Sequence, residues 1–242
     1  MYKNRTFECL KATIEHLWNE KPIQGERVAI LVCPPLSKKR FEKENRDACF
    51  ISQQFTQEKE FVKNFTKTIK SDSDWKTYQD EIALYALKHL LEIEENSSAT
   101  VIPDVKYRHF KKALRSGCFD VIFIIAHHII PKKKSKDKEG VILTGKIEFA
   151  DGGIPLEQIQ KFLAQLYSDN KISLIFTICK TNKFQQMSYG LPSIGSIATA
   201  FWDIDFVDGI EFVKCWSRFL NGKQTLSQAY YLAIDEFLKD LT

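Results

Sequence analysis

Residues with the chemistry of a base and of a nucleophile each follow an apolar run of the chain. His127 and His128 follow FDVIFIIA, and Cys179 follows KISLIFTI, 52 residues after His127. Such runs are typical of buried strands in a parallel sheet, whose carboxyl ends open onto the crevice where ligands bind. If the two strands are neighbours, about 4.8 Å apart, Cys179 lies next to His127. A cysteine beside an imidazole that accepts its proton is what thiol catalysis requires, because the thiolate then attacks a carbonyl carbon.

The same residues also allow other interpretations. Free cysteine is among the most buried residue types, and a histidine at the end of a strand is common, so both groups could belong to the core. Metal ligation by His127 and His128 is disfavoured, because adjacent residues of a strand point to opposite faces. The sequence contains no CxxC, HEXXH or GxSxG motif, and we expect neither a metal nor a cofactor. From the pair alone, catalysis and core filling both stay open.

Strands and helices alternate along the chain. The predicted strands are RVAILVCPP, ATVIPDV, FDVIFIIA, KISLIFTICK and SIGSIATAFWDI, and GVILTGKIEFADGG predicts a small β-hairpin. Helical spacing of apolar residues appears within residues 1–20, and in YRHFKKALRSG, PLEQIQKFLAQLYSD, VDGIEFVKCWSRFLNG and TLSQAYYLAIDEFLKDL. This alternation predicts an α/β fold in one domain over residues 1–242, with a mostly parallel sheet of about six strands and helices on both faces.

Local signals mark where several of these helices begin and end. Gly117 and Gly222 are expected to end helices, because glycine adopts the left-handed conformation that follows a helix. Thr225 and Gln228 have the spacing of a capping box at the start of the last helix. Pro155 is expected at the first position of its helix.

Composition narrows the class of protein. The 35 basic and 31 acidic residues give a net charge of +4, too small and too scattered to predict a nucleic-acid partner. The lysines of residues 132–138 are interpreted as a solvated loop, with an anion site as the alternative. The six cysteines lack metal-finger spacing and indicate reduced thiols in a cytosol. No signal peptide or bilayer-length apolar run is present, so we expect a cytoplasmic protein without a membrane partner.

Several stretches together resemble the caspase-like cysteine proteases of clan CD, and within them the CHAT proteases. DVIFIIAHHI is similar to the family's strand that ends in His-Gly, and GVILTGKIEFADGGIPLEQIQKFL to its hairpin, Asp-Gly turn and helix. KISLIFTICKT is similar to its strand that ends in the nucleophile, and the segment from SIGSIATAFWDIDF to the last helix resembles the CHAT tail. A histidine about fifty residues before the cysteine is a known caspase feature. The match covers about residues 119–242.

The resemblance implies a caspase-like three-layer sandwich and a cysteine endopeptidase that acts on a protein substrate. His127 would be the base, Cys179 the nucleophile, and the backbone N–H groups of His128 and Cys179 the oxyanion hole. The family usually has glycine where this chain has His128, and a histidine there is strained if the position needs a positive φ. Relatives suggest a role in prokaryotic antiviral defence or cell death. Because no sensor domain is fused to the chain, a separate activating or sensor protein is expected.

The resemblance also bears on the substrate pocket. Where caspases place positive groups and a glutamine that recognise aspartate, this chain has Asp203, next to Trp202, and Thr177. A pocket that presents a carboxylate repels an aspartate side chain. We therefore predict cleavage after Lys or Arg, in a pocket lined by Thr177, Trp202, and Asp203 or Asp205. The alternative, that Asp203 caps the following helix, stays open.

Two further hypotheses compete with the peptidase. A catalytically silent caspase-like module that binds a partner would explain His128 in place of glycine. An α/β enzyme of another chemistry that uses Cys179 is the third hypothesis.

Overall fold

The elements of the fold follow the predicted order. The structure, a computed structural model, describes residues 21–33, 90, 92, 93, 95–129, 145–167, 171–178, 191–199 and 206–239. Its strands are β1 Val28–Val32, β2 Thr100–Ile102, β3 Val121–Ile125, β4 His128–Ile129, β5 Lys146–Phe149, β6 Gly152–Pro155, β7 Ile172–Thr177 and β8 Ile194–Thr199. The helices with defined bounds are α1 Tyr107–Arg115, α2 Leu156–Ala164, α3 Phe206–Phe219 and α4 Leu226–Lys239.

The main sheet contains five parallel strands in the order β2-β1-β3-β7-β8. The predicted mostly parallel α/β sheet is confirmed, but the predicted count of about six strands is wrong for the described part of the chain. The hairpin strands β5 and β6 do not extend the main sheet. They pair with β4 in a separate three-stranded antiparallel sheet.

Helices cover both faces of the main sheet, as predicted. Alternate residues of the central strands point to opposite faces, because the side-chain period of a strand is two. On one face Val28, Ile30, Val121 and Phe123 pack with Trp216 and Tyr230 of α3 and α4. The other face packs against α1 and α2 through Ala29, Leu31, Ile122, Ile124, Phe110, Leu114, Ile159 and Leu163. Each of the two helical layers thus has its own apolar core.

The structure tests the predicted helix ends. Gly117 follows α1 with a φ of 67°, as expected for a residue that ends a helix, whereas Gly222 (φ 85°) lies in the turn beyond α3, which already ends at Phe219. The capping box of α4 is confirmed, because the Thr225 N–H donates to Oε1 of Gln228 at 3.0 Å and the Gln228 N–H donates to Oγ1 of Thr225 at 3.3 Å.

Two predicted boundaries are wrong. The predicted hairpin is present and pairs Lys146–Phe149 with Gly152–Pro155, so it ends two residues beyond GVILTGKIEFADGG, whose residues 140–144 lie outside the described part of the chain. Pro155 is the last residue of β6, and α2 begins one residue later, at Leu156. The predicted helix within residues 1–20 and the lysines of residues 132–138 lie outside the described residues. In the described part of the chain, no helix is long and apolar enough to span a membrane. The assignment of one domain stays a prediction.

Candidate functional site

The strands that lead to the two candidate residues are neighbours in the main sheet. β3 and β7 pair in parallel, from Val121 opposite Ser173 to Ile125 opposite Thr177, so register partners differ by 52 in residue number. His127 and Cys179 differ by the same number and follow the last register pair by two residues each. Cys179 itself lies outside the described residues. The structure therefore places the two strands side by side and in the register that the candidate pair requires.

His127 lies in the two-residue link between the two sheets. The sequence predicts a strand as far as Ala126, but β3 ends at Ile125, and the chain then enters β4 at His128. The carbonyl oxygen of His127 accepts a hydrogen bond from the N–H of Glu148 at 3.0 Å. The residue is buried, with 7% of its surface exposed. The base candidate therefore has its backbone attached to the hairpin at the carboxyl edge of the main sheet.

The backbone of His128 is extended. In β4 it pairs with Ile147, and the hydrogen bond from the N–H of Glu148 to the carbonyl oxygen of His127 lies next to this pair. His128 therefore occupies a non-hydrogen-bonded position of the antiparallel ladder, and its N–H is directed away from β5. Outside glycine, the residues that the structure describes have a positive φ only at Asp104. The strain that the sequence suggested at His128 is therefore not present.

Gly145 makes room for the imidazole of His128. Its φ is 114°, and a Cβ at this position would overlap Nε2 of the His128 ring. The carbonyl oxygen of Gly145 accepts the N–H of Leu156, the first residue of α2, at 3.2 Å. The larger residue at position 128 is thus matched by the absence of a side chain at position 145.

The hairpin is attached to the start of α1 by Asp151. Oδ1 of Asp151 accepts the N–H of Tyr107, the first residue of α1, at 2.8 Å. The next residue back, Ala150, donates its N–H to the carbonyl of Val105 at 2.8 Å. The Asp-Gly turn is visible in the sequence, but the function of Asp151 is not. No local pattern could have revealed it, because the helix that it caps begins 44 residues earlier in the chain.

The cysteines that the structure describes lack the environment of a nucleophile. Cys33 follows β1 and is 1% exposed. Burial raises the pKa of its thiol far above the ordinary value, and the negative charges of Glu148 and Asp151 raise it further. Cys215 is buried in α3, and Cys118 is exposed before β3, at the amino end of that strand. Because the thiolate is the nucleophile, a buried Cys33 that stays protonated is unreactive.

The predicted substrate pocket falls mostly outside the described residues. Thr177 is the last residue of β7 and is 8% exposed. Trp202, Asp203 and Asp205 lie outside the described residues. The helix α3 begins at Phe206, so Asp205, and not Asp203, directly precedes it in the sequence. If a carboxylate caps this helix, Asp205 has the position for it.

A search of known proteins gives no assignment. The chain matches no protein-family model, and no curated protein matches it significantly. Among the residues that the structure describes, no group of three or more His, Cys, Asp and Glu side chains could hold a metal ion. The caspase-like family assignment therefore stays a prediction from the resemblance.

Proposed function

We propose that the chain is a caspase-like cysteine endopeptidase of the CHAT type, with His127 and Cys179 as its catalytic pair. The observation that supports the proposal most is the pairing of β3 with β7, whose register offset equals the distance between the two residues in the sequence. Two strands of a parallel sheet in this register deliver the residues that follow them to the same edge of the sheet.

In the proposed reaction His127 accepts the proton of the Cys179 thiol. The thiolate attacks the scissile carbonyl carbon, the C–N bond breaks, and the imidazolium returns its proton to the leaving amine. Water then hydrolyses the thioester and releases the free enzyme. The backbone bond between Glu148 and His127 supports this proposal, because a catalytic base needs a fixed position.

The proposed oxyanion hole consists of the backbone N–H groups of His128 and Cys179. The N–H of His128 is directed away from β5, as a donor to a substrate must be. Each such donor typically contributes about 3 kcal/mol to the transition state. The extended backbone of His128 removes the objection that a histidine in place of glycine must be strained.

The proposed substrate is a protein that is cut after Lys or Arg. The support is the sequence alone, since Asp203 and Asp205 bring carboxylates to the region where caspases place positive groups. The start of α3 at Phe206 makes Asp205 the better candidate for a helix cap and leaves Asp203 for the pocket. The protein is further proposed to act in the cytoplasm, in antiviral defence or cell death, together with a separate activating or sensor protein.

A panel of fluorogenic peptides that end in Arg, Lys or Asp tests the proposal. We expect cleavage after Arg and Lys that is abolished by Cys179→Ala and by His127→Ala. Cys118→Ala is the matched control, because it removes an exposed thiol elsewhere, and it should leave the rate unchanged. Preference for Asp would contradict the pocket, and cleavage by Cys179→Ala would contradict the mechanism.

The burial of His127, which is 7% exposed, favours a second candidate function. A catalytically silent caspase-like module that binds a partner has no need of an accessible imidazole. This candidate predicts that the folded protein cleaves none of the peptides and that Cys179 reacts with alkylating agents no faster than Cys118.

A further inference from the structure

The helix α1 carries an unusual concentration of positive charge. Between Lys106 and Arg115 the sequence KYRHFKKALR contains five basic residues and no acidic one. Lys111 lies over the ring of Tyr107, 4.8 Å from its centroid, and Arg115 lies over the ring of Phe162. In the part of the chain that the structure describes, no carboxylate forms an ion pair with any of the five.

Three of these cations form one exposed stripe along α1. Arg108, Lys112 and Arg115 are exposed, and their spacing of four and three residues places them on one face of the helix. At about 1.5 Å per residue the stripe is about 10 Å long. We call these three residues the basic stripe.

The stability of the helix explains only part of the basic stripe, because the helix dipole favours a positive charge at Lys112 and Arg115 in the last turn but not at Arg108. Arg108 lies in the first turn, where the helix dipole disfavours a positive charge, and Arg108 and Lys112 repel each other across one turn. Lys161 and Arg218, in contrast, are each paired with a carboxylate, with Glu157 and Glu236 respectively. Three exposed cations in one row, with no carboxylate paired to them in the described part of the chain, indicate a negatively charged partner.

The position of α1 relates the basic stripe to the candidate site. Val105, just before α1, donates its N–H to the carbonyl of Val32 at the end of β1, and Asp151 of the hairpin caps Tyr107. The helix therefore begins at the edge of the main sheet where His127 lies. A segment bound along the basic stripe would have one end close to this edge.

The surroundings of the basic stripe favour a peptide over nucleic acid. α2 packs beside α1, because Phe162 contacts the rings of Tyr107 and Phe110. Two helices in one layer form a broad face, which does not enter a groove about 12 Å wide as a single helix does.

We propose that the basic stripe binds an extended acidic segment of a protein. Alternate residues of an extended segment lie about 7 Å apart on one side, close to the rise of about 6 Å from Arg108 to Lys112. We assign the segment to the protein substrate, because α1 begins at the edge of the main sheet where His127 lies, and this assignment rests on the proposed function. Binding itself does not require catalysis, so it can be measured independently of peptidase activity.

Fluorescence anisotropy tests this binding. The probe is a fluorescein-labelled peptide in which glutamate alternates with serine, titrated with the Cys179→Ala protein so that no cleavage interferes. Comparison probes are the same peptide with glutamine for glutamate, and single-stranded and duplex oligonucleotides of equal charge. We expect the glutamate peptide to bind at low salt, and the glutamine peptide to bind at least about tenfold more weakly.

Charge reversal locates the binding surface. Arg108→Glu, Lys112→Glu and Arg115→Glu together should weaken binding of the glutamate peptide by about tenfold or more. Lys21→Glu, Lys223→Glu and Lys239→Glu together are the matched control, because these exposed lysines adjoin core residues on the face of the sheet opposite α1, and the net charge changes equally. The control should weaken binding by no more than about twofold.

Several results would overturn the proposal. These are no binding of the glutamate peptide, equal binding of the glutamine peptide, an equal loss in the control variant, and tighter binding of either oligonucleotide. If the charge-reversal variant does not fold, the same positions changed to glutamine test the same expectation, since glutamine is a good helix former.

Discussion

Ile125 and Thr177 are register partners at the carboxyl ends of two adjacent parallel strands. Two residues further along the chain stand His127 and Cys179, respectively. The two apolar runs form part of the core, and their pairing also determines which residues follow the two strands side by side at the carboxyl edge of the sheet. The proposed catalytic pair depends on this relationship more than on any other feature of the fold.

Gly145 and His128 should be energetically coupled. Gly145→Ala adds a Cβ that overlaps the His128 ring, at a φ of 114°, so we expect it to lower the free energy of unfolding by about 2 kcal/mol or more. In a His128→Ala background the overlap with the ring is gone, but the backbone strain remains, and the added Cβ still lies 2.9 Å from the carbonyl oxygen of Ile129. The cost of Gly145→Ala should then fall by about 1 kcal/mol.

Urea unfolding of the wild type, both single variants and the double variant measures this coupling. Gly117→Ala is a useful control, because Gly117 also has a positive φ but no atom lies within 4 Å of its added Cβ. The loss in free energy of unfolding caused by Gly117→Ala should be the same with and without His128→Ala. Additive effects of Gly145→Ala and His128→Ala would contradict the packing described for the imidazole.

Asp151 should stabilise the fold as a helix cap from a distant part of the chain. Asp151→Ala removes the acceptor of the Tyr107 N–H, and loss of a cap typically costs about 1 kcal/mol. Asp151→Asn keeps an acceptor oxygen and should cost less. Asp235→Ala, at an exposed position of α4, is the control and should change stability little.

The loss of Asp151 should also affect the proposed catalysis, because the hairpin that it anchors holds the carbonyl of His127 through Glu148. Peptide cleavage by Asp151→Ala should be slower at temperatures where the protein is still folded, and Asp151→Asn should recover much of the rate. Equal stability and equal rate for Asp151→Ala and the wild type would show that this anchor has no effect.

Cys33 should make the protein less stable at alkaline pH. Burial raises the pKa of its thiol far above that of an unfolded cysteine, which is about 8.5. Below that pH both states keep the proton and the stability is fully present. Above it the unfolded state loses the proton while the folded state keeps it, so the free energy of unfolding falls as pH rises.

Urea unfolding of the wild type and Cys33→Ala between about pH 7 and pH 10 isolates this effect. The free energy of unfolding of the wild type minus that of Cys33→Ala should be constant near neutral pH and should fall above about pH 8.5. Cys118→Ala is the control for the loss of a cysteine outside the core, because Cys118 is exposed, and the shift seen with Cys33→Ala should exceed any shift seen with this control. Parallel profiles for Cys33→Ala would mean that its thiol is not held protonated by the fold.

Much of the fold could be predicted because its signals are local. The apolar runs of β3 and β7 indicate buried parallel strands, and Thr225 and Gln228 indicate the start of α4 from their spacing. Periodicity does not show where a buried strand ends, and the end of β3 at Ile125 results from the pairing of His128 with Ile147. Such pairings between distant residues override local preference.

The candidate site could be predicted only in part for the same reason. The sequence indicates His127 and Cys179 by residue type and position, but the contact of Gly145 with His128 and the capping of α1 by Asp151 arise only in the folded chain. The basic stripe is different, because its charges are visible in YRHFKKALR. The net charge of the whole chain does not reveal the basic stripe, whereas the net charge of each predicted helix, taken separately, does.

The rate at which Cys179 is alkylated tests the central claim most directly, because it needs no substrate. The folded protein is treated with iodoacetamide at about pH 6.5, where an ordinary thiol is mostly protonated, and each cysteine is followed by mass spectrometry. We predict that Cys179 reacts much faster than the exposed Cys118, and that His127→Ala removes this difference. A Cys179 that reacts no faster than Cys118, or equally fast without His127, would contradict the proposed pair.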